Sequence, residues 1–392
     1  MIKRSLEAKL KALAEKSPVI AVTGPRQSGK TTLVRAAFAG YKYVSLENLD
    51  TREFALADPR LFLSKYPAPA IFDEIQRAPS LLSYIQTIVD EAGRNGMYIL
   101  TGSNNLMLLE GVSQSLAGRV ALLNLLPFSA GELAAGRHLP ATLEENLFKG
   151  GYPRVYDKKL TPEEFYSGYV ATYVERDIRQ ILKVTDLHKF QIFLKMCAAR
   201  CGQLVNLSAL GNDCGINHAT AKAWLSVLQT CYIAHLLPPH FENMGKRLMK
   251  SPKLYFYDTG LLCHLLGIQK AEELAVHPMR GYIFESWALG ELLKNLFNRG
   301  RHSNLYFWRD HVGHEVDCLV DDGLKMTAIE IKSAVTLSEE QFKGLKYFKE
   351  LAGKKHVDNV LVYAGKESMR RTSAEVAAWR TFGIQLAGEL AG

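Results

Sequence analysis

The sequence predicts an α/β protein in three modules: a parallel sheet flanked by helices, a helical section closing on a hairpin, and a second, smaller α/β unit. Three observations carry this. A short apolar run at 19–22 enters a Gly-rich turn and then a helical pattern. Three helical stretches followed by two strand-like pieces fill 187–257, and a helix followed by three alternating strand-type runs occupies the end.

Length agrees with this division. At 392 residues and 47% hydrophobic content, the chain exceeds one ordinary core and should split into domains of roughly 100–150 residues. The expected boundaries are 1–158, 159–262 and 263–392. A formal charge of +8 and a pI near 9.0 favour polyanionic partners, which makes nucleic acid a candidate. No run of about 18 apolar residues is present, and the N-terminal stretch MIKRSLEAKLKALAEKSP is a charged amphipathic helix without a signal peptide's apolar centre. The expectation is a cytoplasmic protein with no membrane segment. Cys197, Cys201, Cys214, Cys231, Cys263 and Cys318 form no Cys-x-x-Cys pair and read as reduced core thiols.

The first module carries the most specific chemistry. Residues 24–31, GPRQSGKT, match G-x-x-x-x-G-K-[ST] between a strand and a helix. In that context Gly24 and Gly29 let Pro25, Arg26, Gln27 and Ser28 turn their backbone toward phosphates at a helix N-terminus. Lys30 then reaches the outer phosphates, Thr31 holds Mg²⁺, and Thr32 begins the helix. The apolar strand at 70–72 ends in Asp73 and Glu74, where a Walker B motif has its metal-binding Asp and a water-activating Glu. A third strand ends in Thr101, Ser103 and Asn104, candidate sensors of the γ-phosphate that also read as ordinary turn residues. Arg119 is a candidate arginine finger, in its own chain or across a subunit interface, which leaves a homo-oligomer open. Its bland alternative is a structural arginine.

In the middle module, a face with Glu175, Arg176, Asp177 and Arg179 reads as solvated or ion-paired. Next come a helix over HKFQIFLKMCAARCGQL, a short one over NLSALGNDCGI and a third opening at Asn217, then YIAHLLPPH and PKLYFYD. Three helices and a hairpin are the plan of a winged helix. The basic stretch between its strands, with Lys246, Arg247, Lys250 and Lys253, suits DNA phosphates; such a module also serves as a protein-binding element or lid.

The tail reads αβββαβ, with Glu285 early in the helix, Glu315 and Asp317 on the second strand, and Glu330 and Lys332 on the third. Asp317 and Glu330 on neighbouring strands, joined by Glu285, are spaced to share a Mg²⁺ that polarises a phosphodiester. Lys332 shares Glu330's strand face. Glu315 competes with Asp317 for the role of first acid.

The order GPRQSGKTT, IFDEIQ, LTGS, LAGRV and PFSAGEL resembles the AAA-14 family of AAA-like ATPases, commonly joined to DUF4143, which GQLVNLSAL, AKAWLSVL and GKRLMKSPKLYFYDTGL resemble in turn. Gly151-Tyr152-Pro153 is similar to the Gly-x-Pro element of STAND signalling ATPases, which implies Pro153 near the adenine and Arg154 as a sensor-2-like cation. An ordinary turn accounts for these residues equally. The tail looks like the PD-(D/E)xK restriction-endonuclease-like fold, in which Gln341 lies where a polar helper is often found. The resemblance implies an AAA-like P-loop NTPase domain, a helical lid with a winged helix, and a nuclease-like α/β domain. The implied ligands are ATP and Mg²⁺. The implied activity is ATP hydrolysis coupled to a DNA-associated module. A nucleotide-dependent switch whose tail binds a partner without cleaving, and an ATP-gated metal-dependent nuclease, are the alternatives.

Overall fold

The computed structural model describes residues 2–102, 115–158, 160–174, 186–240, 251–353 and 356–392. Ser103, Asn104, Glu175, Arg176, Asp177, Arg179, Lys246, Arg247 and Lys250 therefore lie outside the described residues.

The first module is a five-stranded, all-parallel sheet. Its strands are β1 (Val19–Thr23), β2 (Lys42–Ser45), β3 (Ala70–Asp73), β4 (Tyr98–Thr101) and β5 (Val120–Asn124), in the spatial order β2-β3-β4-β1-β5. β1, β3 and β4 are buried along their whole length because helices cover both faces, hence their unbroken apolar runs. One face packs a cluster around Phe62, Phe72, Ile85 and Tyr98; the other packs Leu6, Ile20, Val34 and Ile99. β4 inserts between the strand that feeds the Gly-rich loop and the strand that ends in Asp73. Loop, acid and Thr101 thus meet at the carboxyl edge of the sheet, where open α/β sheets place ligands.

The middle module has helices Leu187–Ala199, Leu207–Asp213 and His218–Thr230, followed by the antiparallel hairpin β6 (Ala234–Leu237) and β7 (Lys253–Phe256). Asn217 caps the third helix, its side chain accepting from the Thr220 amide at 2.8 Å. The tail begins with the long helix Arg280–Asn298 and continues through β8 (Leu305–Arg309), β9 (Glu315–Asp321), β10 (Lys325–Lys332), the helix Lys343–Ala352 and β11 (His356–Tyr363). β12 (Met369–Arg370) and β13 (Glu375–Ala378) complete a mixed sheet ordered β12-β13-β11-β10-β9-β8, antiparallel from β8 to β10 and parallel from β10 to β11. The expected αβββαβ order is present.

One apolar core runs from Leu126 to Ala391, through both later modules and the end of the first. The Arg280–Asn298 helix passes through its centre. Glu291 on that helix is buried, accepts from the Ala130 amide at 2.8 Å and pairs with Lys294 at 2.8 Å, fixing the tail to the first module. The chain beyond β6 extends into the tail sheet: the His240 amide donates to the Phe307 carbonyl at 2.8 Å, and the Phe307 amide to Pro238 at 3.0 Å. Among the described residues no helix is long and apolar enough to cross a membrane.

Candidate functional site

The Gly-rich loop is shaped by two left-handed glycines. Gly24 has φ +142°, and a Cβ there would collide with the Leu125 carbonyl oxygen; Gly29, at φ +94°, begins the helix Lys30–Ala37. Lys30 is buried, and its Nζ donates to the loop carbonyls of Gly24 at 3.0 Å and Pro25 at 2.8 Å. The Thr31 hydroxyl lies 3.0 and 3.1 Å from the two Asp73 oxygens. Asp73 also accepts from the Tyr43 hydroxyl at 2.8 Å and from Thr101. Burial, followed by the bond to Asp73, pushes the Tyr43 phenol up to about 12. The carboxylate is thus ringed by neutral hydroxyls that can rotate away, a donor set that fits Mg²⁺ held by Thr31 and Asp73. The Ser28 hydroxyl and the Gln27 side-chain amide oxygen, both on the loop, are buried without a partner.

Glu74 has φ +58° and ψ +46°, and its carboxylate accepts from Gln76. A left-handed glutamate costs on the order of 1–3 kcal/mol and persists where the surroundings enforce it, commonly at active sites. The backbone reverses there immediately after β3, presenting the second acid beside the first.

A cleft of about 140 Å³ lies against the same helix, lined by Ile2, Lys3, Thr32, Phe128, Pro153 and Asp157 among others. Pro153 Cγ sits 3.8 Å from where a Gly29 Cβ would be. Arg154 is exposed and does not line the cleft. The Arg26 guanidinium lies 5.5 Å from the Tyr173 ring.

Arg119 requires a correction as a finger within one chain. Its carbonyl accepts from the Val19 amide at 3.2 Å, at the amino edge of the sheet, a strand length or about 15 Å from the phosphate loop. Its guanidinium is held by Asp90, at 2.5 and 2.8 Å. The parallel topology forces this, since a residue preceding a strand lies opposite the ligand edge.

Three supports were not signalled as functional. Arg4 is 7% exposed; it donates to the Ser28 carbonyl of the loop at 3.1 Å, to Leu126 at 2.5 Å and to Glu132 at 3.2 Å, over the Phe128 ring at 4.6 Å. Ser129 and Glu132 form a capping box, and Ser-x-x-Glu is readable in the sequence, although the arginine it receives is not. Tyr232, from the middle module, touches the loop's root: its hydroxyl is 2.9 Å from Thr23 Oγ1 and 2.7 Å from Asn124 Oδ1.

The tail brings Glu285, Asp317, Glu330 and Lys332 together. Asp317 Oδ2 accepts from the Ile331 amide at 2.8 Å and lies 3.5 Å from Lys332 Nζ, which is 2.5 Å from Glu330 Oε1. Glu330 Oε2 is buried without a partner. Burial first, and then the charge of Asp317, raise both Glu285 and Glu330 well above the usual carboxylate range. Lys332 is raised too, Asp317 and Glu330 outweighing its burial. Such a cluster has an unfavourable excess of negative charge that a cation relieves. As arranged, the relief comes from lysines: among the described residues no three His, Cys, Asp or Glu side chains are grouped to hold a metal ion. Gln341 accepts from the Ser338 amide at 3.2 Å, a capping contact.

Lys253 also requires a correction. Expected on a solvated wing, it is 4% exposed, ion-paired to Glu315 and 5.5 Å from the Phe307 ring. Burial opposes its charge, but Asp317, Glu315 and Glu285 together outweigh burial and raise it. Glu315 is also 3.4 Å from Arg309, which leaves Asp317 as the acid facing Lys332.

Residues 16–134 match an AAA domain, 140–272 a domain of unknown function (DUF8612), and 280–382 a domain of unknown function (DUF4143). An uncharacterized protein of Mycobacterium tuberculosis is 30% identical over 339 residues, 86% of this chain and 75% of that protein. An uncharacterized protein of Haemophilus influenzae is 25% identical over 279 residues, 63% of this chain and 68% of that protein. The Walker-type ATPase of Pyrococcus abyssi is 17% identical, covering 68% of this chain and 96% of that structure, with a TM-score of 0.45. The chain belongs to the AAA-14/DUF4143 family of P-loop ATPases.

Proposed function

We propose that the protein binds ATP at the 24–31 loop and hydrolyses it, Glu74 accepting the proton of the attacking water. The observation that carries this is the meeting of Thr31, Asp73 and Thr101 at one sheet edge, with Glu74 turned left-handed beside them. Lys30 must leave the Gly24 and Pro25 carbonyls to neutralise the outer phosphates, so the loop holds in reserve the charge it uses on ATP. Mg²⁺, held by Thr31 and Asp73, would neutralise charge on the phosphate oxygens. The cleft lined by Pro153 is the candidate seat of the base. Glu74→Gln should bind ATP and lose turnover by 10²-fold or more, as removal of a general base does; turnover equal to wild type would sink the reading.

A second reading is a metal-dependent phosphodiesterase in the tail under nucleotide control. It is favoured by the convergence of Glu285, Asp317, Glu330 and Lys332, with Glu330 Oε2 unpaired. DNA is its candidate substrate and the winged-helix module its candidate grip. Supercoiled, linear and single-stranded DNA, all left intact with Mg²⁺ or Mn²⁺ and with or without ATP, would refute it.

A further inference from the structure

The acidic cluster in the tail is not made by the tail alone. β7 belongs to the middle module, yet Lys253 reaches Glu315, and the charges of Asp317 and Glu285 bear on it. Two residues on, and therefore on the same strand face, the Tyr255 hydroxyl donates to Glu285 Oε2 at 3.1 Å. The cluster holds four carboxylates, from Glu285, Glu315, Asp317 and Glu330, and one of its two lysines is supplied by another module.

Residues 253–258 also lead back to the nucleotide side. Ser286, adjacent to Glu285, accepts from the Phe256 amide at 3.0 Å and donates to its carbonyl at 2.8 Å. The Tyr257 ring stands 5.7 Å from that of Tyr232, whose hydroxyl meets Thr23 and Asn124 at the root of the loop. Asp258 accepts from the Gly151 amide at 2.7 Å, two residues before Pro153. Residues 253–258 thus touch the acids at one end and, at the other, reach the loop's root through Tyr232 and the Pro153 turn through Gly151.

We propose that Lys253 is a working part of the acidic site, an internal cation that occupies the charge position of a divalent metal, and that segment 253–258 links it to the nucleotide side. The inference rests on the second functional reading, that the cluster takes a metal. Removing the ammonium should uncover the site, while a guanidinium in its place should keep it covered.

The test is Mn²⁺ binding to the nucleotide-free full-length chain, read by calorimetry and by the electron-paramagnetic-resonance signal of free Mn²⁺. Lys253→Met should bind Mn²⁺ about tenfold tighter than wild type or more, on the scale of a site-to-site coupling. Lys253→Arg should bind as wild type does. Glu330→Gln in the Lys253→Met chain should abolish the gain, assigning it to the cluster. Equal or weaker binding by a folded Lys253→Met chain would overturn the inference and leave the metal-site reading standing. Binding indifferent to Glu330→Gln in both backgrounds would overturn the two together. Should Lys253→Met fail to fold, Lys253→Gln gives the same readout. Tyr257→Ala, which severs the strand from Tyr232, should remove any effect of a non-hydrolysable ATP analogue on Mn²⁺ affinity, and a retained effect would overturn the nucleotide link.

Discussion

Asp258 is the place where the Pro153 turn is held, and replacing it should be felt at the nucleotide. Its carboxylate is 3% exposed and accepts three bonds: the Gly151 amide at 2.7 Å, the Tyr166 hydroxyl at 2.7 Å and the Leu261 amide at 2.9 Å. It also caps the helix Thr259–Leu265. Asp258→Ala strands two amides out of reach of water, while the Tyr166 hydroxyl keeps the Lys149 carbonyl at 3.0 Å. At about 1–3 kcal/mol for each buried unsatisfied group, the loss is about 2–6 kcal/mol. Asp258→Asn is more selective. If its oxygen keeps Tyr166 and Leu261, its amide nitrogen faces the Gly151 N–H, donor against donor, and the damage of about 2 kcal/mol falls on the Gly150–Gly151 turn alone. The expectation is a lowered unfolding midpoint for both variants, and for Asn a nucleotide affinity about tenfold weaker, equivalent to about 1.4 kcal/mol. Differential scanning fluorimetry and equilibrium titration with a fluorescent ADP analogue measure the two effects. Midpoints are the proper comparison, since a chain of several modules is not two-state. An Asn variant with unaltered midpoint and unaltered affinity would show that the turn stands without Asp258, and would cut the link drawn from β7 to Pro153.

Two further predictions follow from buried polar groups. Arg4→Met leaves Glu132 buried without its cation and frees the Ser28 and Leu126 carbonyls; the cost should be about 3–5 kcal/mol, seen as a lowered midpoint with weakened ATP binding. A midpoint within one degree of wild type would refute it. His235 is half-buried with its Nε2 shielded from water and unpartnered, and burial lowers it from 6.5 to about 4. A lowered folded value means that the neutral form is favoured, so stability is complete above pH 6.5 and declines as pH falls toward 4. By pH 5 the decline amounts to about 2 kcal/mol. His235→Leu should flatten the melting temperature between pH 7 and pH 5 relative to wild type, and parallel pH profiles would contradict it.

The legible parts of this chain are those written in one contiguous segment. The Gly-rich loop, the strand ending in Asp73 and Glu74, and the cap at Asn217 each need only neighbouring residues, and the structure has them where the spacing put them. Arg119 as a finger within its own chain and Lys253 as a wing cation depart from the structure for a shared reason: each expectation rests on the company the residue keeps in sequence. Arg119 follows a glycine and precedes an apolar run, which says that a strand begins but not which edge of the sheet the beginning occupies. The parallel order settles that edge.

Proximity in sequence groups Lys253 with Lys246, Arg247 and Lys250 as a wing cation, although the alternation Lys253-Leu254-Tyr255-Phe256 carries a different message. In a strand, Lys253 and Tyr255 share one face and Leu254 and Phe256 the other. All four are buried, so the polar pair must find polar partners on its own face. A lysine and a tyrosine on a buried face call for carboxylates, and the structure supplies them from the tail: Lys253 pairs with Glu315 on β9, and Tyr255 donates to Glu285 on the Arg280–Asn298 helix. The acidic site therefore depends on a strand that its own module does not contain.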